Sequence, residues 1–140
     1  MIGVQLSLFD TPTFNVSISL KETMNRAAKT CGLSREEIVD RMNILAERYG
    51  VCLVKGNCRK LSRETLEKWL NPADPSRQMP AKAIPIFNAI VDNADTLNIL
   101  AQPTGHRVIG HKDQRLLEWA RAYRQARAAR RTMRQLEADL

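Results

Sequence analysis

Two stretches decide the fold: residues 33–50, LSREEIVDRMNILAERYG, and residues 61–72, LSRETLEKWLNP. In the first, Ser34 and Glu37 have the spacing at which a serine hydroxyl accepts from the third helical N–H and the glutamate returns the bond. Ile38, Val39, Met42, Leu45, Ala46 and Tyr49 then recur at helical steps until Gly50 stops the run. In the second, Ser62 caps a helix from Arg63 to Leu70 that turns Leu66, Trp69 and Leu70 to one side. Asn71-Pro72 ends it, because a proline disfavours helical geometry in the residue before it.

The same start signal stands upstream, at Ser19 and Glu22. It predicts a helix to Cys31, with Leu20, Met24, Ala27, Ala28 and Cys31 facing inward and Lys21, Asn25 and Lys29 facing out. Residues 1–18, interrupted by Pro12, carry no period and read as a flexible arm. Between Gly50 and Leu61, the β-prone run Val51 to Val54 precedes Lys55-Gly56-Asn57, which predicts a short β-hairpin or an extended loop. Downstream, Pro80 suits the first turn of a helix carrying Ala83, Ile84, Phe87, Ala89, Ile90 and Val91. Asp95 is placed to cap a brief helix with Leu97, Ile99, Leu100 and Ala101.

Lys112 to Leu140 has no glycine or proline and predicts one long helix. Along it Trp119, Ala122, Ala126, Ala129, Met133, Leu136 and Leu140 form a heptad seam, weak in its middle because alanines bury little surface. The expectation is therefore all-α: an arm at 1–18, about five helices at 19–110, and a basic C-terminal helix at 111–140.

The chain has 22 Lys and Arg against 15 Asp and Glu, a net charge of +7 that points first to a polyanionic partner. Eight of those basic residues lie from Lys112 onward against four acidic ones, so that helix holds +4 of the total, spread over several faces. No apolar run is long enough to span a membrane, and the N-terminus does not read as a signal peptide, so a cytoplasmic protein is expected. The odd count of three cysteines, Cys31, Cys52 and Cys58, reads there as reduced thiols. Zinc held by Cys52, Cys58, His106 and His111 is the sharper alternative, but five residues between the cysteines exceed the usual structural spacing. No metal or cofactor is expected. With no Gly-rich phosphate loop, no G-x-S-x-G and no motif orienting either histidine, no catalytic residue is expected and the chain does not read as an enzyme.

The polar residues in and just before the helix at 63–70 carry the functional reading. Asn57, Arg59, Lys60, Ser62, Arg63, Thr65 and Lys68 suit a helix whose N-terminal turns enter a major groove. Arginine pairs with guanine and asparagine with adenine, while lysine, serine and threonine hold phosphates. Arg124, Arg127 and Arg131 of the last helix would add phosphate contacts. The plain alternative is a solvated face on an ordinary amphipathic helix.

From Ser34 to Gly105 the chain resembles phage-encoded members of the lambda-repressor-like helix-turn-helix superfamily, of the Cro/CI and CII types. The residues behind this are Leu33-Ser34 with Ile38-Val39, Leu61-Ser62-Arg63 with Thr65-Leu66 and Trp69-Leu70, and Met79-Pro80 with Ile84-Pro85, Phe87 and Ile90-Val91, through Leu97, Ile99-Leu100-Ala101. The resemblance implies a dimeric, sequence-specific transcriptional regulator of double-stranded DNA, from a phage or prophage. The connection from Tyr49 to Lys60 is longer than that family's turn, so Lys55, Arg59 and Lys60 read equally as a wing on the adjacent backbone.

Separately, Gln5, Leu6, Leu8 and Phe9 of the pentapeptide QLSLF resemble the motif by which bacterial replication and repair proteins dock on the sliding clamp. That implies a replication-associated adaptor. A third reading is a structural protein that oligomerises through the long helix.

Overall fold

A computed structural model describes residues 14–56 and 59–140. Six α-helices follow in order: α1 (Ser17–Thr30), α2 (Arg35–Tyr49), α3 (Arg63–Leu70), α4 (Ile84–Val91), α5 (Asp95–Ala101) and α6 (His111–Ala138), with a 3-10 turn at Gln102–Thr104. The described chain is all-α. It divides after Val108, and Ile109–Leu140 form a separate unit.

Local signals place α2 and α3 as expected. Ser34 Oγ accepts the Glu37 N–H at 3.1 Å, and Glu37 Oε1 accepts the Ser34 N–H at 3.1 Å, a complete capping box. Gly50 ends α2 in the left-handed region at φ 67°, and Val51 N–H reaches back to the Ala46 carbonyl at 2.8 Å. Ser62 Oγ accepts the Thr65 N–H at 3.2 Å and starts α3.

Other starts differ from expectation. The Ser19–Glu22 pair does not cap α1, which begins at Ser17 behind Val16 with no side-chain cap. Pro85, not Pro80, occupies the first turn of α4, since Pro80 accepts the Ala83 N–H in a preceding turn. Asp95 is the first residue of α5 rather than its cap, and Asn93 Oδ1 receives the Asp95 N–H at 2.8 Å. Between α2 and α3 no strand forms among the described residues, so of the two forms expected there the extended loop agrees with the structure. The chain bends at Val54 to Gly56 (φ 92°) and turns Leu53 into the core. Cys52 is disulfide-bonded, which corrects the expectation of reduced thiols there, because a count of cysteines says nothing of which are held close; Cys31 is free.

The core of the first unit is aliphatic with two large aromatics. Met24, Ala27 and Ala28 of α1, Ile38 and Met42 of α2, Leu66, Trp69 and Leu70 of α3 and Phe87 of α4 are all buried. α1 packs on α3 and α5, while α2 packs on α3 and α4, so α3 is gripped between the first two helices.

One core residue reverses its expected placement. Lys21 is 1% exposed, not solvated, and its ammonium donates to the carbonyls of Lys68 (3.0 Å), Trp69 (3.2 Å) and Arg77. The last carbonyls of a helix lack intrahelical partners and form its negative end, which a buried cation satisfies. Lys21 thus ties α1 to the end of α3 and to the loop beyond it. Burial pulls its pKa below the ordinary lysine value, and the nearby Asp74 carboxylate opposes that shift.

The second unit, α6, contains no buried residue. It stops at Ala138, so Leu140 of the expected seam lies past the helix end. No helix among the described residues is long and apolar enough to cross a membrane.

Candidate nucleic-acid interface

The start of α3 is positioned from below by α2. Asn43 Oδ1 accepts the Leu61 N–H at 2.8 Å and its amide donates to the Leu61 carbonyl at 3.0 Å, clamping the peptide just ahead of the cap. Leu61, buried, and Ser62, exposed, then set which way α3 leaves the loop.

Two crossed ion pairs join the first turn of α2 to α3. Glu36 pairs with Arg63, and Arg35 Nε lies 3.4 Å from Glu67 while its Nη2 donates to Asn25 Oδ1 at 2.7 Å. Arg63 keeps 58% of its side chain exposed, so the pair sits in water and can exchange partners. Glu64 is exposed beside it, and Glu37 is engaged in the α2 capping box, where the Ser34 backbone and hydroxyl hold its carboxyl below the ordinary glutamate value. The α3 surface therefore mixes signs: Arg63 and Lys68 stand among Glu36, Glu64 and Glu67.

Of the residues expected to contact DNA, Ser62 and Thr65 are committed to capping, their hydroxyls 3.1 Å apart. Arg63 and Lys68 are exposed on α3. Arg59 and Lys60 are exposed in the preceding loop, where they line a recess with Asn43, Glu47 and Val51 to Leu53. Asn57 and the clamp-like residues Gln5, Leu6, Leu8 and Phe9 lie outside the described residues.

On α6, Arg124, Arg127 and Arg131 come together on one face, flanking Ala128 around a shallow depression. Between Trp119 and Leu136 the helix carries six arginines and no carboxylate. At about 100° per residue, those six sweep one half of the circumference, a tighter arrangement than the whole-helix count suggests. The Tyr123 ring supports this face: Trp119 stacks on it at 5.5 Å and the Arg127 guanidinium lies 6.0 Å from its centroid.

The zinc alternative loses a ligand, because a disulfide sulfur is not a free thiolate. His106 Nδ1 lies 3.0 Å from Thr104 Oγ1, and no group of three or more metal-ligating side chains gathers among the described residues.

Glu36, Asn43 and Lys21, which set the geometry of α3, drew no functional reading from the sequence, while Glu67, required there only to face away from the DNA backbone, pairs with Arg35. The S-x-x-E spacing marks Glu37 but leaves Glu36 silent, and a lone lysine in an amphipathic pattern reads as solvated.

The fold and the exposed cations define an all-α protein with a basic C-terminal helix. No protein-family model, curated protein or solved structure matches the chain.

Proposed function

We propose that the protein is a DNA-binding regulator of phage or prophage type, not an enzyme, acting on double-stranded DNA as a dimer. The observation that carries this reading is the acid-free arginine run of α6, confined to half of one helix in a chain of net charge +7. A half-helix of cations without carboxylates suits a phosphate backbone, where each neutralised phosphate releases counterions.

Base reading falls to the start of α3, with Arg63 as the reader and Arg59, Lys60 and Lys68 holding phosphates. Arg63 lies on the first turn of a capped helix, the position from which a recognition helix reaches base edges. To do so it exchanges the Glu36 carboxylate for a guanine edge.

Selection of the full chain on a random duplex library, with enriched sites retested at two salt concentrations, tests the reading. Enrichment of one site that survives higher salt supports a sequence-specific regulator. Binding without enrichment that disappears at higher salt leaves only the phosphate contacts of α6 and overturns base reading by α3.

A further inference from the structure

The half of α6 opposite its arginines is apolar, and nothing within its own unit packs on it. Trp119, Met133 and Leu136 are each about 60% exposed, and Ala122, Ala126 and Ala129 are exposed between them. On the wheel that puts the six arginines of 121–134 on one half, these six residues all fall on the other. Neither ion pair found among the described residues lies in α6, and Arg127–Arg131 and Arg130–Arg134 are like-charged i, i+4 neighbours. Apart from the Arg127–Tyr123 contact, no charge on the helix is engaged in an ion pair among the described residues, and the opposite half presents a continuous apolar strip.

We propose that this strip is covered by the same strip of a second copy, running antiparallel. Two features of the seam select that occupant and that direction. The first is size. Antiparallel pairing about a two-fold axis near Arg127 and Ala128 sets Trp119 against Leu136 and Ala122 against Met133, with Ala126 against Ala129 in the two central layers. A parallel pair would stack Trp119 on Trp119 and Met133 on Met133 and leave three successive layers of alanine facing alanine, against two in the antiparallel register, where Met133 fills the space over Ala122.

The second is charge. Lys112 and Arg115 continue the seam toward the N-terminus, while Glu137 and Asp139 flank its C-terminal end. Antiparallel copies bring these opposite charges together at both ends, whereas parallel copies set Arg115 on Arg115 and carboxylates on carboxylates. Glu118 adds one like-charged neighbour to Glu137 in the antiparallel register, while Asp113, the other acid at that end, falls on the arginine half of the wheel, away from the seam. Because the seam lies opposite the arginine half, pairing leaves both arginine surfaces open. The assignment names the dimer surface left unspecified in the regulator reading, but it does not depend on DNA and is measured without it.

Sedimentation of the full chain in the absence of DNA is expected to show twice the 15.9 kDa chain mass. Met133→Glu is expected to give a monomer of unchanged helicity, and Arg134→Glu, on the opposite half, to leave the dimer intact. Direction is read by oxidative cross-linking of Ala122→Cys and Met133→Cys chains, with linked peptides identified by mass so that native cysteines do not confuse the result. In the antiparallel register, equal positions 122 lie about 16 Å apart along the axis. The mixture should therefore yield a 122–133 link that neither variant forms alone. A monomer at all concentrations, a dimer indifferent to Met133→Glu, or a 122–122 link each overturns the proposal.

Discussion

Arg63, the first residue of α3, is ion-paired with Glu36, the second residue of α2. The proposed base-reading guanidinium is thus engaged before any ligand arrives, and Glu36 competes with DNA for it. Arg63→Ala should weaken binding to a selected site by roughly 1–3 kcal/mol while barely changing affinity for random duplex. Glu36→Gln should strengthen binding to both, since it removes the competitor and a repulsive charge. Exposed ion pairs contribute about 0–1 kcal/mol, so both variants should unfold near the wild-type temperature. Fluorescence anisotropy on specific and random duplexes checks the binding arm, and equal losses for Arg63→Ala on the two would exclude base reading.

Arg124, Arg127 and Arg131 should act differently. Replacing all three with alanine should lower affinity on every sequence alike and reduce the salt dependence by about one unit of log–log slope for each phosphate that is no longer neutralised. An unchanged slope would remove α6 from the DNA interface.

Lys21 is expected to be the costliest single charge to lose. Lys21→Met keeps the apolar stem but strands carbonyls at the end of α3, and should destabilise the protein by about 2–4 kcal/mol in chemical denaturation. Because burial lowers the folded-state pKa of Lys21, the unfolded chain holds that proton more tightly. Wild-type stability relative to Lys21→Met should therefore rise with pH in the window just below the ordinary lysine value of 10.5. A pH-independent difference would show that the ammonium is not desolvated.

Asn43→Ala removes both bonds to the Leu61 peptide and should cost about 1–3 kcal/mol, with the start of α3 losing amide hydrogen-exchange protection first. Uniform loss across α1 to α4 would mean that Asn43 acts on the core as a whole.

At acid pH two carboxylates report their own bonds. Glu37, held by Ser34, and Asp74, held by the Ser76 hydroxyl and N–H, both have lowered pKa values. Their contributions are present above the ordinary values of 4.5 and 3.8 and are lost as pH falls through the folded-state values. Glu37→Gln and Asp74→Asn keep an acceptor oxygen but cannot titrate, so each should flatten the stability profile below about pH 4.5 without changing the fold.

The helices were legible because their determinants are local. Ser34 and Glu37, Ser62 and Thr65, and Gly50 act within one turn of the chain, and the apolar steps of α2 and α3 name their own buried faces except at Tyr49, which is exposed at the end of α2. Where local signals competed, reading them in isolation misled or left a choice open: Ser19–Glu22 matches a capping box yet falls inside α1, and Val51 to Val54 has strand composition yet forms no strand among the described residues. The arginine content of α6 was likewise plain, but its division into opposite basic and apolar halves needed the helix to run unbroken from His111 to Ala138.

What the sequence determined alone is an all-α chain with a long basic helix, since caps, stops and apolar periods act between residues three or four apart. Only the tertiary structure decided that Lys21 is buried under α3, that Glu36 holds Arg63, and that Asn43 clamps Leu61. Those partners stand 47, 27 and 18 residues apart and meet only when α1, α2 and α3 close on one core, so no local pattern could encode their contact.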